Sequence, residues 1–398
     1  MASFSSLSKP ISRTPKNPTF FLLFPSNLAL PRFSVANPTS TSSTFIRLST
    51  SLHSNQIQTS PGIIAKAQAS QSSADVTLLS CYEAIERLRA SRESYPKKEQ
   101  YLAMYSSIFG GIVTDTAAMV IPMDDHMVHR GHGVFDTAAI MDGHLYELDE
   151  HIERLLRSAA MAKIKPPFDK ECIRRILIQT VSASKCRKGS LRYWLSTGPG
   201  DFQVSPSGCH QSALYAIVIQ KQSPSNHEGV KVITSSIPIK PPQFAVMKSV
   251  NYLPNVLLKM QGEEKGAFTG IWLDGDGFIA EGPTMNVAFV TKEKELLMPD
   301  FKNILSGLTA KRALVHAQAL VKDGILRSIR LSNVSVDEGK SAREMMLIGS
   351  GVIVHPVVQW DDQIIGDGKE GPVTQALRNL ILEDMKSGPA TIRVPVPY

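Results

Sequence analysis

The chain has 398 residues, of which 42% are hydrophobic and 20% are charged, and its formal net charge is +7 at pH 7. Residues 1–74 contain six Lys and Arg but no Asp or Glu, and removing these six from the total of 43 leaves 37 basic against 36 acidic residues. The basic charge therefore belongs to the N-terminal segment, and a nucleic-acid partner is not expected. The four cysteines form no CxxC pair and no His/Cys cluster with zinc-ligand spacing, which excludes the common zinc motifs and gives no reason to expect a metal.

Residues 1–70 are rich in Ser and Thr and poor in acidic residues, a composition typical of an organellar transit peptide. The apolar run Phe20–Phe24 is too short for a signal-peptide core or a membrane span. We therefore predict a disordered chloroplast transit peptide at 1–70 and no membrane association. A disordered tail without targeting function is the alternative.

Alternating and helical patterns of apolar residues follow each other along the rest of the chain. Helices are predicted at 78–92, 150–163, 170–184, 255–266, 309–321 and 373–385. Strands are predicted within 105–121, with a break at Gly110-Gly111, and at 134–140, 145–146, 190–196, 213–220, 230–235, 267–273, 278–281, 287–290, 296–298 and 346–348. Asp149 is the expected N-cap of the second helix, and Asp142-Gly143 is expected to form a tight turn.

Hairpins mixed with helices favour an α+β fold over a doubly wound parallel sheet. The polar, turn-rich segment 221–229 is the best candidate for an interdomain linker. We predict a lead-in helix within 71–100, a smaller α/β domain at 101–220 and a larger domain of mixed sheets and helices at 230–398. The run Asp274-Gly275-Asp276-Gly277 is not a calcium loop, because its twelfth position is Met285 rather than Glu.

Lys248 lies inside an apolar run, with Met247 before it and Val250 after it. Burial disfavours the ammonium form of lysine and makes the amine nucleophilic toward an aldehyde, as in Schiff-base chemistry. The alternative is a lysine whose stem packs while its amine reaches solvent. Lys259 is a rival, but its flanks place it on the predicted 255–266 helix, facing solvent.

Five segments occur in a characteristic order along the chain: Gly131–Asp136, Glu150–Leu155, Lys248, Ala280–Gly282 and Leu305–Arg312. This succession resembles the class IV aminotransferases, the fold-type IV enzymes that use pyridoxal 5'-phosphate. The resemblance covers roughly residues 100–390, and within the family it is greatest to plant chloroplast enzymes of the D-amino-acid transaminase and aminodeoxychorismate lyase types. It implies the fold-type IV architecture, a pyridoxal phosphate cofactor and a homodimer.

The resemblance also implies roles for individual residues at the cofactor. Lys248 would carry the cofactor, Glu281 would face the pyridine nitrogen, and Tyr252 would bind the phenolic oxygen. The phosphate would be bound by four residues: Arg154, Leu308, Thr309 and Ser350. The alternatives are a surface pair of Arg154 with Glu150 and a helix capped by Thr309.

The substrate side departs from the pattern of bacterial D-amino-acid aminotransferases, which carry an Arg-x-His pair after a strand. The matching segment here is Ser196–Gly200, with neither residue. Arg130 and Arg192 are the candidate cations for a substrate carboxylate, and solvent-exposed or structural pairing is their alternative. Phe135 is expected to line the substrate side.

The resemblance implies D-amino-acid transamination, in which D-alanine or D-aspartate transfers its amine to 2-oxoglutarate or pyruvate by a ping-pong Schiff-base route. The alternative activity is 4-amino-4-deoxychorismate lyase, giving 4-aminobenzoate and pyruvate for folate synthesis, and both activities can coexist. A branched-chain aminotransferase is less favoured. A non-catalytic cofactor-binding protein is disfavoured because both Lys248 and Glu281 are present.

Overall fold

The computed structural model describes residues 76–94, 99–221 and 228–398. The predicted transit peptide and most of the predicted linker lie outside the described residues. Within these ranges no helix is long and apolar enough to cross a membrane.

Helices and strands alternate along the described chain. The helices are α1 (Cys81–Ser94), α2 (His126–Arg130), α3 (Leu148–Met161), α4 (Lys170–Ser184), α5 (Pro242–Ala245), α6 (Leu253–Glu264), α7 (Leu308–Lys322), α8 (Val336–Lys340) and α9 (Pro372–Ser387). The strands are β1 (Glu99–Ser106), β2 (Gly111–Val113), β3 (Gly133–Met141), β4 (His144–Tyr146), β5 (Gly189–Ser196), β6 (Ala213–Lys221), β7 (Val230–Thr234), β8 (Thr269–Ile271), β9 (Asn286–Val290), β10 (Glu295–Met298), β11 (Ser328–Leu331), β12 (Glu344–Gly349), β13 (Ile353–Trp360), β14 (Gln363–Ile364) and β15 (Arg393–Pro395).

Among the described residues, seven strands form an antiparallel first sheet in the order β15-β4-β3-β5-β6-β1-β2. Helix α3 packs on β3, and α4 packs on β1 and β6. Both helices bury apolar residues at helical spacing, such as Ile173, Leu177 and Val181 on α4. These helices and the first sheet enclose one hydrophobic core.

The second sheet is mixed, with the order β11-β10-β9-β12-β13-β7-β8 and with β14 paired to β13. The pairs β10/β11, β13/β7 and β7/β8 are parallel, and the remaining pairs are antiparallel. Helices α7 and α9 contact each other, and both contact this sheet. The predicted α+β class is confirmed. The domain boundaries stay a prediction. The C-terminal strand β15 pairs with β4 of the first sheet.

Several element boundaries differ from the sequence prediction. Helix α3 begins at Leu148, two residues early, so Asp149 lies inside it; the N-cap is Glu147, which has a left-handed backbone (φ 50°). The predicted break at Gly110-Gly111 separates β1 from β2, but the predicted strand beyond Val113 is wrong, because a 3-10 turn occupies Thr116–Ala118.

The predicted strand at 278–281 is also wrong as a strand, although the predicted hairpin is present. The Trp272 N–H donates to the Glu281 carbonyl at 2.9 Å, and the Ala280 N–H donates to the Trp272 carbonyl at 2.9 Å. Only a single bridge, between Leu273 and Ile279, has strand geometry in this arm. The hairpin nevertheless brings Glu281 back beside β8.

Candidate active site

A cavity lies where helix α3, the segments on either side of α5 and the turn after β12 meet the start of α7. Its wall contains all seven residues predicted to hold a cofactor: Arg154, Lys248, Tyr252, Glu281, Leu308, Thr309 and Ser350. These residues span almost two hundred positions of sequence, so the fold itself brings them together.

The backbone around Lys248 is fixed against the first sheet. The Phe135 N–H on β3 donates to the Lys248 carbonyl at 3.0 Å, and the Val250 N–H donates to the Gly133 carbonyl at 3.0 Å. The Lys248 N–H points to the hydroxyl of Ser158 on α3, at 3.3 Å. The lysine therefore leaves a rigid backbone, with its Nζ 4.8 Å from the centre of the Phe135 ring.

The amine of Lys248 is poorly solvated. Burial and, to a smaller extent, the nearby positive charge of Arg154 lower its pKa to about 8. The carboxylates of Asp136 and Glu281 act in the other direction and raise this pKa. At mildly alkaline pH, a lysine with this pKa is largely in its neutral form, which is the nucleophilic one. Lys259, the rival anchor, instead pairs with Glu263 on α6 at 3.1 Å and does not line the cavity.

Glu281 is a buried carboxyl on the cavity wall. Burial raises its pKa to about 8, while the charge of Lys240, the backbone of Leu305 and the charge of Lys248 act in the other direction. The Asn286 amide nitrogen lies 3.5 Å from its Oε2. Such a carboxyl is suited to share a proton with a nitrogen base placed against it.

Arg154 is held by a buried carboxylate from the first sheet. Its Nε and one terminal nitrogen donate to the two oxygens of Asp136 at 2.8 and 2.7 Å, and its other terminal nitrogen lies 3.2 Å from the Ser306 carbonyl. The surface pair with Glu150 is therefore wrong: Arg154 is only 5% exposed and aimed into the cavity. Burial alone would raise the pKa of Asp136, but the charges of Arg154 and His151 hold it well below its ordinary value.

The start of α7 forms the wall next to Arg154. Gly307 is the N-cap, and none of the described side chains caps the helix, so Thr309 is its second residue and not its cap. A side chain at position 307 would collide with Asn286, because a Cβ there would lie 2.0 Å from its Oδ1. Unpaired N–H groups at a helix start suit a phosphate dianion. Ser350, in the turn after β12, adds a hydroxyl to the same cavity.

Of the two aromatic rings near Lys248, Tyr252 lines the cavity and Phe135 does not. Tyr252 and Phe135 pack edge to face with ring centres 5.1 Å apart. Burial raises the pKa of the Tyr252 hydroxyl, so it stays protonated and able to donate. Phe135 also lies under Arg192, whose Cζ is 5.6 Å from the ring centre.

The two predicted substrate cations lie outside the cavity wall. Arg192 is exposed on β5, with its Nε 3.2 Å from the Thr137 hydroxyl. Arg130 donates to the carbonyls of His129 and Phe202 at 2.9 and 2.5 Å. Arg192 reaches the site only across Phe135, and Arg130 does not reach it in this chain, so the substrate role of each stays a prediction.

Sequence reasoning missed three groups at the site. Asp136 stood in a recognised segment without a role, and its contact to Arg154 joins a strand to a helix. Asn286 joins Glu281 to the Leu305 carbonyl. Lys240 precedes Pro241 in a loop that carried no pattern, yet its side chain lines the cavity. The ordered motifs could have indicated Asp136; nothing in the sequence indicated Lys240.

These donors fit pyridoxal phosphate. The cofactor needs an amine for its aldehyde, an acid for its ring nitrogen and an anion site for its phosphate. Lys248, Glu281 and the α7 start with Arg154 provide these three in one cavity. Within the described residues no cluster of His, Cys, Asp and Glu is arranged to hold a metal ion.

Known proteins show the same fold and sequence pattern. A D-amino-acid transaminase, chloroplastic, of Arabidopsis thaliana is 62% identical over 337 residues, covering 84% of this chain and 89% of that protein. A D-alanine aminotransferase of Bacillus licheniformis is 31% identical, covering 70% of this chain and 97% of the relative.

Solved structures give the architecture independently. The branched-chain amino acid aminotransferase of Thermobaculum terrenum, in its PLP-bound holo form, matches with a TM-score of 0.66 at 20% identity, covering 75% of this chain and 99% of that one. The Escherichia coli branched-chain enzyme matches with a TM-score of 0.67 at 20% identity, covering 75% and 100%. These likenesses confirm the predicted fold. The sequence profile of the family Amino-transferase class IV matches residues 133–360, and the chain therefore belongs to the class IV aminotransferases, enzymes that use pyridoxal phosphate.

Proposed function

We propose that this protein is a D-amino-acid transaminase of the chloroplast. The observation that carries the proposal is the 62% identity to the chloroplastic D-amino-acid transaminase over 84% of the chain. The cavity supports the proposal because it offers the amine, the acid and the anion site that transamination with pyridoxal phosphate requires. The basic, hydroxyl-rich residues 1–70 agree with a plastid address.

Each cavity residue has a definite task in this proposal. Lys248 would anchor the cofactor, and its free amine would move a proton from the substrate Cα. Its pKa near 8 allows the amine to accept that proton without a strong base elsewhere. Glu281 would hold the ring nitrogen protonated, and Tyr252 would donate to the phenolic oxygen. Pyridoxal phosphate itself supplies the electron sink.

The phosphate end of the site depends on a rigid frame. Asp136 fixes the guanidinium of Arg154 through two hydrogen bonds and leaves its remaining nitrogen near Ser306 and the start of α7. The α7 N–H groups around Leu308 and Thr309, with the Ser350 hydroxyl, complete the anion site. A preformed site of this kind orients the cofactor before substrate arrives.

Fewer residues define the substrate side of the cavity than the cofactor side. Phe135 covers the region next to the Lys248 amine, and Arg192 lies against its ring. We assign Arg192 to the distal or α-carboxylate of the substrate, with Arg130 as the second candidate.

We also propose a homodimer, as the family resemblance implies. Leu253, Val256 and Met260 leave α6 with an exposed apolar face next to the cavity. Light scattering of the purified protein should give twice the chain mass, and a monomer would contradict the dimer.

The test compares three substrates side by side on the protein purified with pyridoxal phosphate. D-Alanine, L-leucine and aminodeoxychorismate are each supplied with 2-oxoglutarate, and Lys248→Ala serves as the inactive control. Turnover of D-alanine should exceed that of L-leucine. Dominant formation of 4-aminobenzoate would instead make the protein the lyase of folate synthesis, with transamination as a side reaction.

A further inference from the structure

The phosphate end of the cavity is assembled from two separate parts of the fold. Arg154 comes from α3, which follows β4 of the first sheet. Leu308 and Thr309 come from the start of α7, which packs on the second sheet. A dianion can meet both sides at once only if the two helices keep a fixed separation. The contacts that hold α7 relative to α3 therefore matter for the cofactor.

The start of α7 is weakly fixed by its own contacts. None of the described side chains caps the helix. Three of the six residues that it buries are alanines, Ala310, Ala313 and Ala317, which allow close packing but interlock little with their neighbours. The side-chain contacts to the carbonyls of Leu305 and Ser306 hold the loop before the helix and not the helix itself.

A buried carboxylate joins α7 to the first sheet. Asp384, on α9, is only 8% exposed. It accepts from Nε and a terminal nitrogen of Arg312 on α7 at 2.6 and 2.8 Å, and from the hydroxyl of Tyr146 on β4 at 2.5 Å. The Nε2 of His316, one turn further along α7, lies 3.5 Å from the same carboxylate. These four side chains come from β4, α7 and α9.

Both arms of this contact lead to the phosphate site. Arg312 lies one turn after Leu308, the first residue of α7. Tyr146 ends β4, and the chain then turns directly into α3, which carries Arg154. The Asp384 carboxylate therefore ties the helix that offers its N–H groups to the strand that leads into the helix of the guanidinium.

The carboxylate of this contact is charged. Burial alone would raise the pKa of Asp384, but hydrogen bonds from Arg312 and Tyr146 hold it below its ordinary value. A buried ion pair adds little net stability over apolar side chains of the same volume, yet it requires a defined geometry. The arrangement is therefore better suited to fix the positions of its partners than to stabilise the core.

We propose that Asp384 is a positioning residue for the cofactor phosphate, because its carboxylate fixes the start of α7 relative to α3 through Arg312 and Tyr146. None of these three side chains lines the cavity, so the effect is transmitted through the elements that carry them. The inference rests on the proposed phosphate site and adds the contact that keeps its two sides together.

The experiment compares the binding of pyridoxal phosphate with that of pyridoxal, which lacks the phosphate, to the full chain freed of cofactor. Tyr146→Phe removes the hydroxyl but keeps the ring that packs in the core. Its dissociation constant for pyridoxal phosphate should rise about tenfold, the equivalent of one hydrogen bond to a charged group. The constant for pyridoxal should stay unchanged, whereas a general loosening of the protein would weaken both ligands.

Tyr215→Phe is the matched control. The hydroxyl of Tyr215 donates to the buried carboxylate of Asp125 at 2.6 Å, so this pair has the same chemistry, and neither residue lines the cavity. Its loss should leave both dissociation constants unchanged. Ser350→Ala removes a hydroxyl from the proposed phosphate site and should weaken the binding of pyridoxal phosphate alone, which checks the site itself.

Two further measurements test whether the two arms act together. Tyr146→Phe and Arg312→Met each break one arm, so the double variant should bind pyridoxal phosphate little more weakly than the worse single variant. In the holoenzyme of Tyr146→Phe, the phosphorus-31 resonance of the bound cofactor should move toward its position in free solution. Asp384→Asn should weaken pyridoxal phosphate binding more than Tyr146→Phe, because it removes the charge that both arms share.

An unchanged ratio of the two dissociation constants in Tyr146→Phe, or an equal change in Tyr215→Phe, would overturn the inference. Fully additive losses in the double variant would overturn it too, because the arms would then act separately. A response to Ser350→Ala without one to Tyr146→Phe would refute the inference alone and leave the phosphate site standing. No response to either would refute both. The binding measurements use no substrate, so they are independent of the proposed transaminase activity.

Discussion

Lys248 should react with aldehydes and acylating reagents near neutral pH, where ordinary lysines are protonated. With a pKa of about 8, roughly half of its amines are neutral at pH 8. An exposed lysine with a pKa near 10.4 is only about 0.4% neutral at that pH, so the free-amine fraction differs roughly a hundredfold. The difference comes chiefly from burial against the Phe135 ring and its neighbours, and secondarily from the charge of Arg154.

The assay is competitive labelling of the cofactor-free protein with trace acetic anhydride between pH 6 and 11, read peptide by peptide by mass spectrometry. The labelling midpoint of Lys248 should lie near 8. Two variants check the sign of the electrostatic contributions. Arg154→Met removes a like charge and should raise the midpoint, whereas Asp136→Asn removes an opposing charge and should lower it. A wild-type midpoint near 10, or shifts in the reverse directions, would refute the reasoning.

Three other substitutions probe the rest of the site. Glu281→Gln should leave the cofactor bound yet slow turnover by about 10²-fold, since general acid–base groups contribute on that scale; unchanged turnover would remove Glu281 from its role. Asp136→Asn should lower the free energy of unfolding by about 3–5 kcal/mol in urea titrations, because it leaves the Arg154 guanidinium buried without its carboxylate; a loss below about 1 kcal/mol would contradict this. Arg192→Ala should raise the KM of dicarboxylic substrates about tenfold, roughly 1.4 kcal/mol of binding, and an unchanged KM would point to Arg130 or to backbone donors.

The spacing of apolar residues predicted those helices and strands whose buried residues recur at one regular interval. Helix α4 matches its predicted bounds because Asp169 accepts from the Cys172 N–H and the apolar face repeats cleanly. The start of α3 was misplaced because Glu147 adopts a left-handed backbone, which sequence does not disclose for a glutamate. Strand β13 was not predicted, and it contains Pro356, a residue that cannot donate to a strand ladder. The structure accommodates it because pairing with β7 begins only at Val357.

The site was predictable to the extent that its residues appear in family order. Lys248 and Glu281 are 33 positions apart, and neither local segment indicates that their side chains face one cavity. The partners that set their charge states were not predictable in this way. Asp136 on β3 binds Arg154 on α3, and Lys240 lines the cavity from the loop before α5, and both placements become visible only once the sheets are assembled.

The pairing of β15 with β4 has a consequence for how the chain can assemble. The edge of the first sheet is supplied by Arg393–Pro395, which follows every strand of the second sheet in sequence. The hydroxyl of Tyr146 on β4 also donates to Asp384 of α9, at 2.5 Å. During synthesis or import from the N-terminus, β4 therefore stays an open edge, able to pair with a foreign strand, until the last described strand arrives. The first sheet therefore gains its edge strand only after every strand of the second sheet has been made.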